Sequence, residues 1–184
     1  MPTETYAPEM QAQKNSSPEE HPLRVCFICT GNTCRSPMAA AVANHLARAA
    51  SAALPEELRS LIPPPIEAYS AGLYANNGER ISENAVQALE EAGILPDPIR
   101  DYHKHTAHSL SAEEAERYDL LVGITSSHAA ALVMRFPGLA EKITCLPENI
   151  ADPFGGDLDR YRAALADITK GVTQMFFPEQ MHED

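Results

Sequence analysis

Basic residues are scarce in this chain of 184 residues: 14 lysines and arginines stand against 26 aspartates and glutamates, for a formal net charge of −12. Such an acidic balance argues against non-specific binding to nucleic acid or to an anionic membrane. No apolar stretch approaches the length of about 20 residues that a membrane span needs. Residues 1–22 also lack the apolar core of a secretion signal, so the sequence predicts a cytoplasmic protein.

Cysteine is sparse as well, with four residues in the chain. Cys26 and Cys29 have a Cys-x-x-Cys spacing, but the second such pair or histidine pair that a zinc site needs is missing. Another conceivable metal site is His103, His105 and His108, although loop histidines more often serve as hydrogen-bond partners. We therefore expect no metal. The chain is long enough to bury a core without disulfides.

The most informative segment that is present is residues 29–38, Cys-Thr-Gly-Asn-Thr-Cys-Arg-Ser-Pro-Met. It follows the apolar run 23–28 and precedes an alanine-rich stretch, which predicts a strand, a tight loop and a helix. A loop that enters a helix N-terminus presents backbone N–H groups and the positive end of the helix dipole to a phosphate. The residues predicted to bind phosphate are Thr30, Gly31, Asn32, Thr33, Cys34 and Arg35.

The residue types along this loop suit phosphate binding. Gly31 lets the backbone turn and approach an anion, while Asn32 tolerates left-handed dihedral angles and can hydrogen-bond across the loop. Arg35 has a planar fork that can hold two phosphate oxygens at once. Ser36 is predicted to cap the helix, with Pro37 as the first helical residue.

Cys29 is the predicted nucleophile. A helix N-terminus and a nearby arginine favour a thiolate, which can attack phosphorus in line. Phosphoryl transfer depends mainly on positioning and on charge stabilisation, which the N–H groups and Arg35 would supply. The alternative interpretation is a buried cysteine at a strand end and an arginine that is only a surface charge.

The pattern of a cysteine, five residues and an arginine, followed by Ser-Pro, resembles the active-site loop of the low-molecular-weight protein-tyrosine phosphatase family. The resemblance runs from about Leu23 to the C-terminal helix. It implies a four-stranded parallel sheet, a phosphocysteine intermediate, a phosphorylated protein as substrate, and neither metal nor other cofactor. It also implies a general acid in a late Asp-Pro pair, here Asp152-Pro153, the alternative being a simple turn aspartate.

Further roles follow from the resemblance by position. Ser36 and Ser70 match serines that hydrogen-bond the loop or the thiolate, and His105 matches a histidine that supports the loop asparagine. Phe154 is either a wall of the cleft that stacks on a flat substrate group or an ordinary hydrophobic plug. Cys34 is either structural or pairs reversibly with Cys29 and protects it from over-oxidation.

Two short segments bear on the substrate. The ten-residue loop sequence and Asp-Pro-Phe-Gly-Gly both resemble the protein-arginine phosphatase branch of the family. Many tyrosine phosphatases have a bulky apolar residue in place of Thr33 and a second aromatic in place of Gly155. A threonine hydroxyl can hydrogen-bond a polar guanidinium-phosphate. The resemblance therefore favours phosphoarginine, with phosphotyrosine as the alternative.

Two other classes of protein are weaker alternatives. Arsenate reductases share the fold and the cysteine loop but relay a disulfide to further cysteines, and here only Cys145, in a predicted strand, follows Cys34. A non-catalytic phosphate-binding module would be indicated by loss of Cys29, Arg35 or Asp152. All three of these residues are present.

Apolar runs alternate with helical patterns, which predicts an α/β fold, a three-layer sandwich with a four-stranded parallel sheet flanked by helices. Residues 1–22 are predicted to be a disordered tail and residues 23–184 a single phosphatase domain. Strands are predicted at 23–28, 66–71, 119–124 and 142–146, and helices at 37–50, 127–136, from 158 onward, and after Ser82 and Ser111. The proline-rich segment 51–65 is interpreted as an insertion or loop. Ligand is expected at the carboxyl ends of the strands, and the oligomeric state stays open.

Overall fold

The computed structural model describes residues 21–59, 61–62 and 64–178. Helices and strands follow the chain in the order β1 Leu23–Cys29, α1 Arg35–Ala52, α2 Glu56–Arg59, β2 Ile66–Gly72, α3 Glu83–Glu91, α4 Ala112–Glu116, β3 Leu120–Gly123, α5 Ser126–Arg135, β4 Ile143–Cys145 and α6 Leu158–Phe176. Two short 3-10 helices lie at Tyr102–Lys104 and Pro137–Lys142. The predicted disordered tail falls outside the described residues, except for 21 and 22.

The four strands form one parallel sheet in the order β2-β1-β3-β4. β1 pairs with β2 along its whole length, from Leu23 opposite Ile66 to Cys29 opposite Gly72. Parallel neighbours need crossover connections, which the helices provide on both faces of the sheet. The predicted fold class, a three-layer α/β sandwich around a four-stranded parallel sheet, is confirmed.

β1 is buried on both faces, which explains its unbroken apolar sequence. Val25 and Phe27 belong to the core cluster shared with α1, α3 and α6, whereas Cys26 and Ile28 belong to the cluster on the other face. Cys29 lies with the first cluster, so the two cysteines of the Cys-x-x-Cys spacing point to opposite sides of the sheet. This arrangement does not suit a shared metal ion.

The start of α1 differs from the prediction. The helix begins at Arg35, with Cys34 in the cap position and no side-chain cap hydrogen bond, so the assignment of Ser36 as the N-cap is wrong. The Ser36 hydroxyl is engaged with loop residues that precede the helix and cannot cap it. Pro37 lies within the first turn instead of opening it, where its missing N–H has no intrahelical partner to lose.

Helices α3 and α4 follow the predicted patterns more closely than the start of α1 does. Ser82 takes the cap position of α3, but its hydroxyl donates to Tyr161 instead of capping, and the helix ends before Gly93, which has a φ of 70°. Ser111 caps α4, and its hydroxyl accepts the N–H of Glu114 at 3.1 Å. Of these two serines, only Ser111 caps its helix through the side chain.

The described residues of the segment 51–65, which is interpreted as an insertion or loop, include helical turns. α1 continues to Ala52, and the four-residue helix α2 follows. Cys145 is only half-buried, because β4 is a short strand at the edge of the sheet. Among the described residues, no helix combines the length and the apolar character needed to cross a membrane.

Candidate active site

The candidate site lies at the carboxyl end of β1, in the loop that turns into α1. This loop, residues 29–35, is called the phosphate loop here, and every one of its residues lines a cavity of about 250 Å³. Tyr74, Asn76 and Glu79, which follow β2, complete the cavity together with Asp152 and Phe154, which follow β4. The cavity therefore lies where the sequence predicts a ligand site, at the carboxyl ends of parallel strands.

The sulfur of Cys29 lies next to a backbone N–H of its own loop and a hydroxyl of α1. The backbone N–H of Asn32 donates to it at 3.3 Å, and the Ser36 hydroxyl lies 3.1 Å away. The residue is 3% exposed, so water contributes little to its solvation. Donors fixed around a buried sulfur stabilise negative charge on it, which is the requirement for a thiolate nucleophile.

Asn32 organises the loop. Its backbone takes the left-handed conformation, with a φ of 56°, and its side chain is fully buried. The side-chain amide donates to the hydroxyls of Ser36 at 2.9 Å and Ser70 at 3.0 Å, and its oxygen accepts the N–H of His108 at 3.1 Å. The structure thus brings together the asparagine and both serines that the sequence assigns to loop support.

Gly31 leaves space beside the loop. The left-handed residue of the loop is its neighbour Asn32. A Cβ placed on Gly31 would meet only the Thr33 hydroxyl, at 3.8 Å. Without a side chain at this position, the backbone N–H groups are open to an anion in the cavity.

His105 reaches the loop through the backbone of Asn32. Its Nε2 lies 2.8 Å from the Asn32 carbonyl oxygen, which can only accept, so Nε2 carries the hydrogen. Burial lowers the pKa of His105, which keeps the ring neutral near pH 7. The structure places His105 against Asn32, with the contact made to the backbone carbonyl and not to the side chain.

Arg35 and Asp152 come together from distant parts of the chain. An Arg35 guanidinium nitrogen lies 2.7 Å from Asp152 Oδ2, while Asp152 Oδ1 accepts the N–H of Phe154 at 3.2 Å. The Arg35 side chain is 8% exposed and that of Asp152 is 53% exposed. Phe154 is 70% exposed at the mouth of the cavity, which fits a cleft wall better than a buried hydrophobic plug.

A contact between Cys34 and α6 has no signal in the sequence. Cys34 Sγ lies 3.2 Å from the Tyr161 hydroxyl, which accepts a hydrogen bond from Ser82 at 3.0 Å. Burial raises the pKa of Cys34 and, together with the Cys34 hydrogen bond, that of Tyr161 to about 12, so both groups stay protonated near neutral pH. The helical periodicity marks Tyr161 only as a core position, because nothing local encodes a partner so distant in the chain.

No sequence pattern indicates that a buried histidine of α5 lies next to the site. His128 Nε2 lies 3.1 Å from the Thr30 hydroxyl, and its Nδ1 lies 2.8 Å from the Thr125 hydroxyl. Burial lowers the pKa of His128, with the nearby charge of Arg35 acting in the same direction. The neutral ring therefore links the phosphate loop to the start of α5.

The three histidines considered as a metal site do not converge. Within the described ranges, no three histidine, cysteine or acidic side chains are grouped as a metal ion would require. The contacts of these histidines are separate: His103 with Asp101 and Glu90, His105 with Asn32, and His108 with Glu114.

Comparisons with known proteins identify relatives of this chain. The sequence profile of the family described as low molecular weight phosphotyrosine protein phosphatase matches residues 24–184. A protein-arginine-phosphatase of Geobacillus stearothermophilus is 35% identical over 154 residues, which are 80% of this chain and 89% of the relative. The crystal structure of a low molecular weight protein tyrosine phosphatase from T. tengcongensis is 32% identical, with a TM-score of 0.69, and the match covers 83% of this chain and 97% of the other.

A third similar protein bears on the chemistry of the loop. It is a mutant of the YwlE arginine phosphatase, with serine in place of a cysteine, and its active-site serine is phosphorylated. It is 26% identical to this chain, with a TM-score of 0.69, and the match covers 88% of this chain and 97% of the other.

Proposed function

The chain belongs to the low molecular weight phosphotyrosine protein phosphatase family, a family of cysteine phosphatases, and on that basis we propose that it hydrolyses phosphoarginine residues of proteins. The observation that carries the proposal is the meeting of Cys29, Arg35 and Asp152 at one cavity. A cytoplasmic location is part of the proposal, because a free thiol nucleophile has to stay reduced.

In the first step the Cys29 thiolate attacks phosphorus, and the bond from phosphorus to the guanidine nitrogen breaks. Asp152, in its protonated form, gives its proton to that nitrogen, so that an unmodified arginine side chain leaves. The N–H groups of the phosphate loop and the guanidinium of Arg35 stabilise the charge on the phosphoryl oxygens.

In the second step water attacks the phosphorus of the phosphocysteine. The Asp152 carboxylate takes a proton from this water while the bond between sulfur and phosphorus breaks. The products are inorganic phosphate, the Cys29 thiolate and a protonated Asp152, ready for another cycle. The Asn32 N–H and the Ser36 hydroxyl, both close to the sulfur, stabilise the departing thiolate.

The ion pair between Arg35 and Asp152 has to break for these two reaction steps to occur. Asp152 occupies a guanidinium donor of Arg35 at 2.7 Å. Phosphate oxygens compete for the same donors and offer two parallel hydrogen bonds where the carboxylate makes one. Substrate binding therefore frees the carboxyl group next to the leaving nitrogen, where its proton is needed.

The preference for phosphoarginine rests on Thr33. Its side chain lines the cavity, and among the described residues its hydroxyl makes only a long contact of 3.6 Å with Cys34 Sγ, so it can bond a substrate N–H. A hydroxyl can accept a hydrogen bond from the N–H groups of the guanidine, which an aliphatic side chain cannot. The similarity to an arginine phosphatase supports the same preference.

The test compares peptides that carry phosphoarginine or phosphotyrosine at the same position, with the wild type, Thr33→Ile and Thr33→Ser. Thr33→Ile should lower kcat/KM for phosphoarginine relative to phosphotyrosine by about tenfold or more, because a hydrogen bond to a charged group is lost. Thr33→Ser keeps the hydroxyl and should keep the wild-type ratio. A wild type that strongly prefers phosphotyrosine, or a ratio that Thr33→Ile leaves unchanged, contradicts the proposed substrate.

Phosphotyrosine is the second candidate, and one observation favours it. Tyr74 and Phe154 line the cavity and are 75% and 70% exposed, so two aromatic rings are available at its mouth to pack against a phenyl ring. The same rings can stack on a flat guanidinium, which is why the two substrates have to be compared directly.

A further inference from the structure

The cavity contains a second carboxylate for which the two-step reaction has no use. Glu79 lines the cavity along with Cys29, Arg35 and Asp152. Arg35 is the one cationic side chain among the lining residues, and it is already paired with Asp152. Glu79 takes part in no ion pair within residues 21–59, 61–62 and 64–178, and its side chain has one long contact, 3.5 Å from the Asn76 amide.

The backbone of Glu79 is held firmly, although its side chain is exposed. Its carbonyl accepts the N–H of Ala107 at 2.7 Å, and its own N–H donates to the Asn76 carbonyl at 3.2 Å. The neighbouring Arg80 forms an antiparallel bridge with Thr106. Further along the same loop, the N–H of Ser82 donates to the carbonyl of Thr33 at 2.9 Å, which ties the loop to the phosphate loop. The point from which the Glu79 side chain extends is therefore fixed beside the cavity.

A free carboxylate is the wrong charge for a site that only binds a phosphate. It repels the dianion, and the whole chain already has a net charge of −12. A phosphorylated tyrosine brings no positive group to offset this cost. A phosphorylated arginine does, because its guanidinium lies directly next to the phosphoryl group and can remain cationic, so both charges enter the same cavity.

We propose that Glu79 is a specificity-determining residue that pairs with the guanidinium of the phosphorylated arginine while Arg35 and the phosphate loop bind its phosphoryl group. This inference rests on the proposed function, since it requires a phosphoarginine substrate. The guanidinium and the phosphoryl group of phosphoarginine then each meet an opposite charge. The phosphate of phosphotyrosine is repelled by Glu79, and phosphotyrosine has no cationic group that Glu79 could attract.

The test measures kcat and KM of the wild type and Glu79→Gln with matched phosphoarginine and phosphotyrosine peptides. For phosphoarginine, Glu79→Gln should raise KM and lower kcat/KM by about fivefold, because one partly exposed ion pair is lost from ground and transition states alike. For phosphotyrosine, kcat/KM should stay the same or rise. Inorganic phosphate should inhibit Glu79→Gln more strongly than the wild type, since a repelling charge is removed.

Two controls separate this effect from a general one. Glu141→Gln removes one negative charge from an exposed position in the 3-10 helix before β4 and should leave both substrates and phosphate inhibition unchanged. Raising the ionic strength should shrink the difference between wild type and Glu79→Gln, because salt screens a partly exposed pair.

The outcomes distinguish this inference from the proposed function. If the wild type fails to hydrolyse phosphoarginine, the proposed function is wrong and the role of Glu79 is wrong with it. If the wild type hydrolyses phosphoarginine but Glu79→Gln changes both substrates equally, or neither, the proposed function stands and Glu79 does not select the substrate.

Discussion

The phosphate loop, residues 29–35, and the acid loop, residues 152–157, line one cavity but are held in different ways. Asn32 is fully buried and Arg35 is 7% exposed, and the loop is bonded to residues of β2 and α6, to Ser82 just before α3 and to the segment 105–108. In the acid loop, the Asp152 side chain is 53% exposed and Phe154 is 70% exposed.

This difference matches two chemical tasks. Stabilising a phosphoryl transition state needs donors whose geometry is set before the substrate arrives, which the buried network around Asn32 provides. Protonating a leaving group and then deprotonating water needs a carboxyl group that can change partners between steps. The single ion pair of Asp152 with Arg35 allows such a change, since no buried network has to be broken.

The largest effect is expected inside the phosphate loop, at the nucleophile. Cys29→Ser should bind inorganic phosphate but lose kcat by a factor on the order of 10⁶, because a serine hydroxyl without an adjacent base is a poor nucleophile. Cys34→Ser, measured in reductant, should keep most of the activity, since Cys34 contacts Tyr161 and its sulfur has no part in the proposed reaction. Hydrolysis by Cys29→Ser at the rate of the wild type would contradict the assignment.

A smaller effect on rate, and almost none on stability, is expected from the acid loop. Asp152→Asn should lower kcat by about 10²–10⁴ for phosphoarginine or phosphotyrosine peptides, and by less for p-nitrophenyl phosphate, whose leaving group needs no proton. The free energy of unfolding should change by no more than about 1 kcal/mol, because the carboxylate is half exposed. Equal losses of rate for all substrates would remove Asp152 from acid catalysis.

The contrast between the loops is sharpest in the stability of Asn32 variants. Asn32→Ala should lower the free energy of unfolding by about 3 kcal/mol, since buried partners lose their hydrogen bonds and alanine is strained at a φ of 56°. Urea titration measures this change, and phosphate affinity should fall as well.

The matched control is Asn44→Ala. Asn44 is also buried, and its side chain bonds the backbone of Ala68 twice at 2.9 Å, but it lies in α1 away from the phosphate loop. Its loss should destabilise the protein while the folded fraction keeps its affinity for phosphate. If both variants bound phosphate equally well, Asn32 would have no special part in forming the site.

Much of the site could be predicted because its chemistry is concentrated in one short segment. The order strand, loop, helix follows from local apolar patterns, and Cys29, Asn32 and Arg35 belong to residue types with few alternative uses at that spacing. The local rules failed at the first turn of α1, where Ser36 has the composition of a cap but bonds the loop instead. A capping rule sees only neighbours in sequence, whereas the hydroxyl found better-placed partners in space.

Local composition and spacing were enough to predict the fold class, the strand-loop-helix unit and the residues proposed for chemistry, because each depends on a few neighbouring residues. The distant groups that complete the site follow from the packing of the elements. The sheet order and the crossover helices bring Asp152 to Arg35, Tyr161 to Cys34, and Glu79 to the cavity. Hydrogen bonds and ion pairs act over a few ångströms, so their partners are set by how the elements pack, which local sequence patterns do not specify.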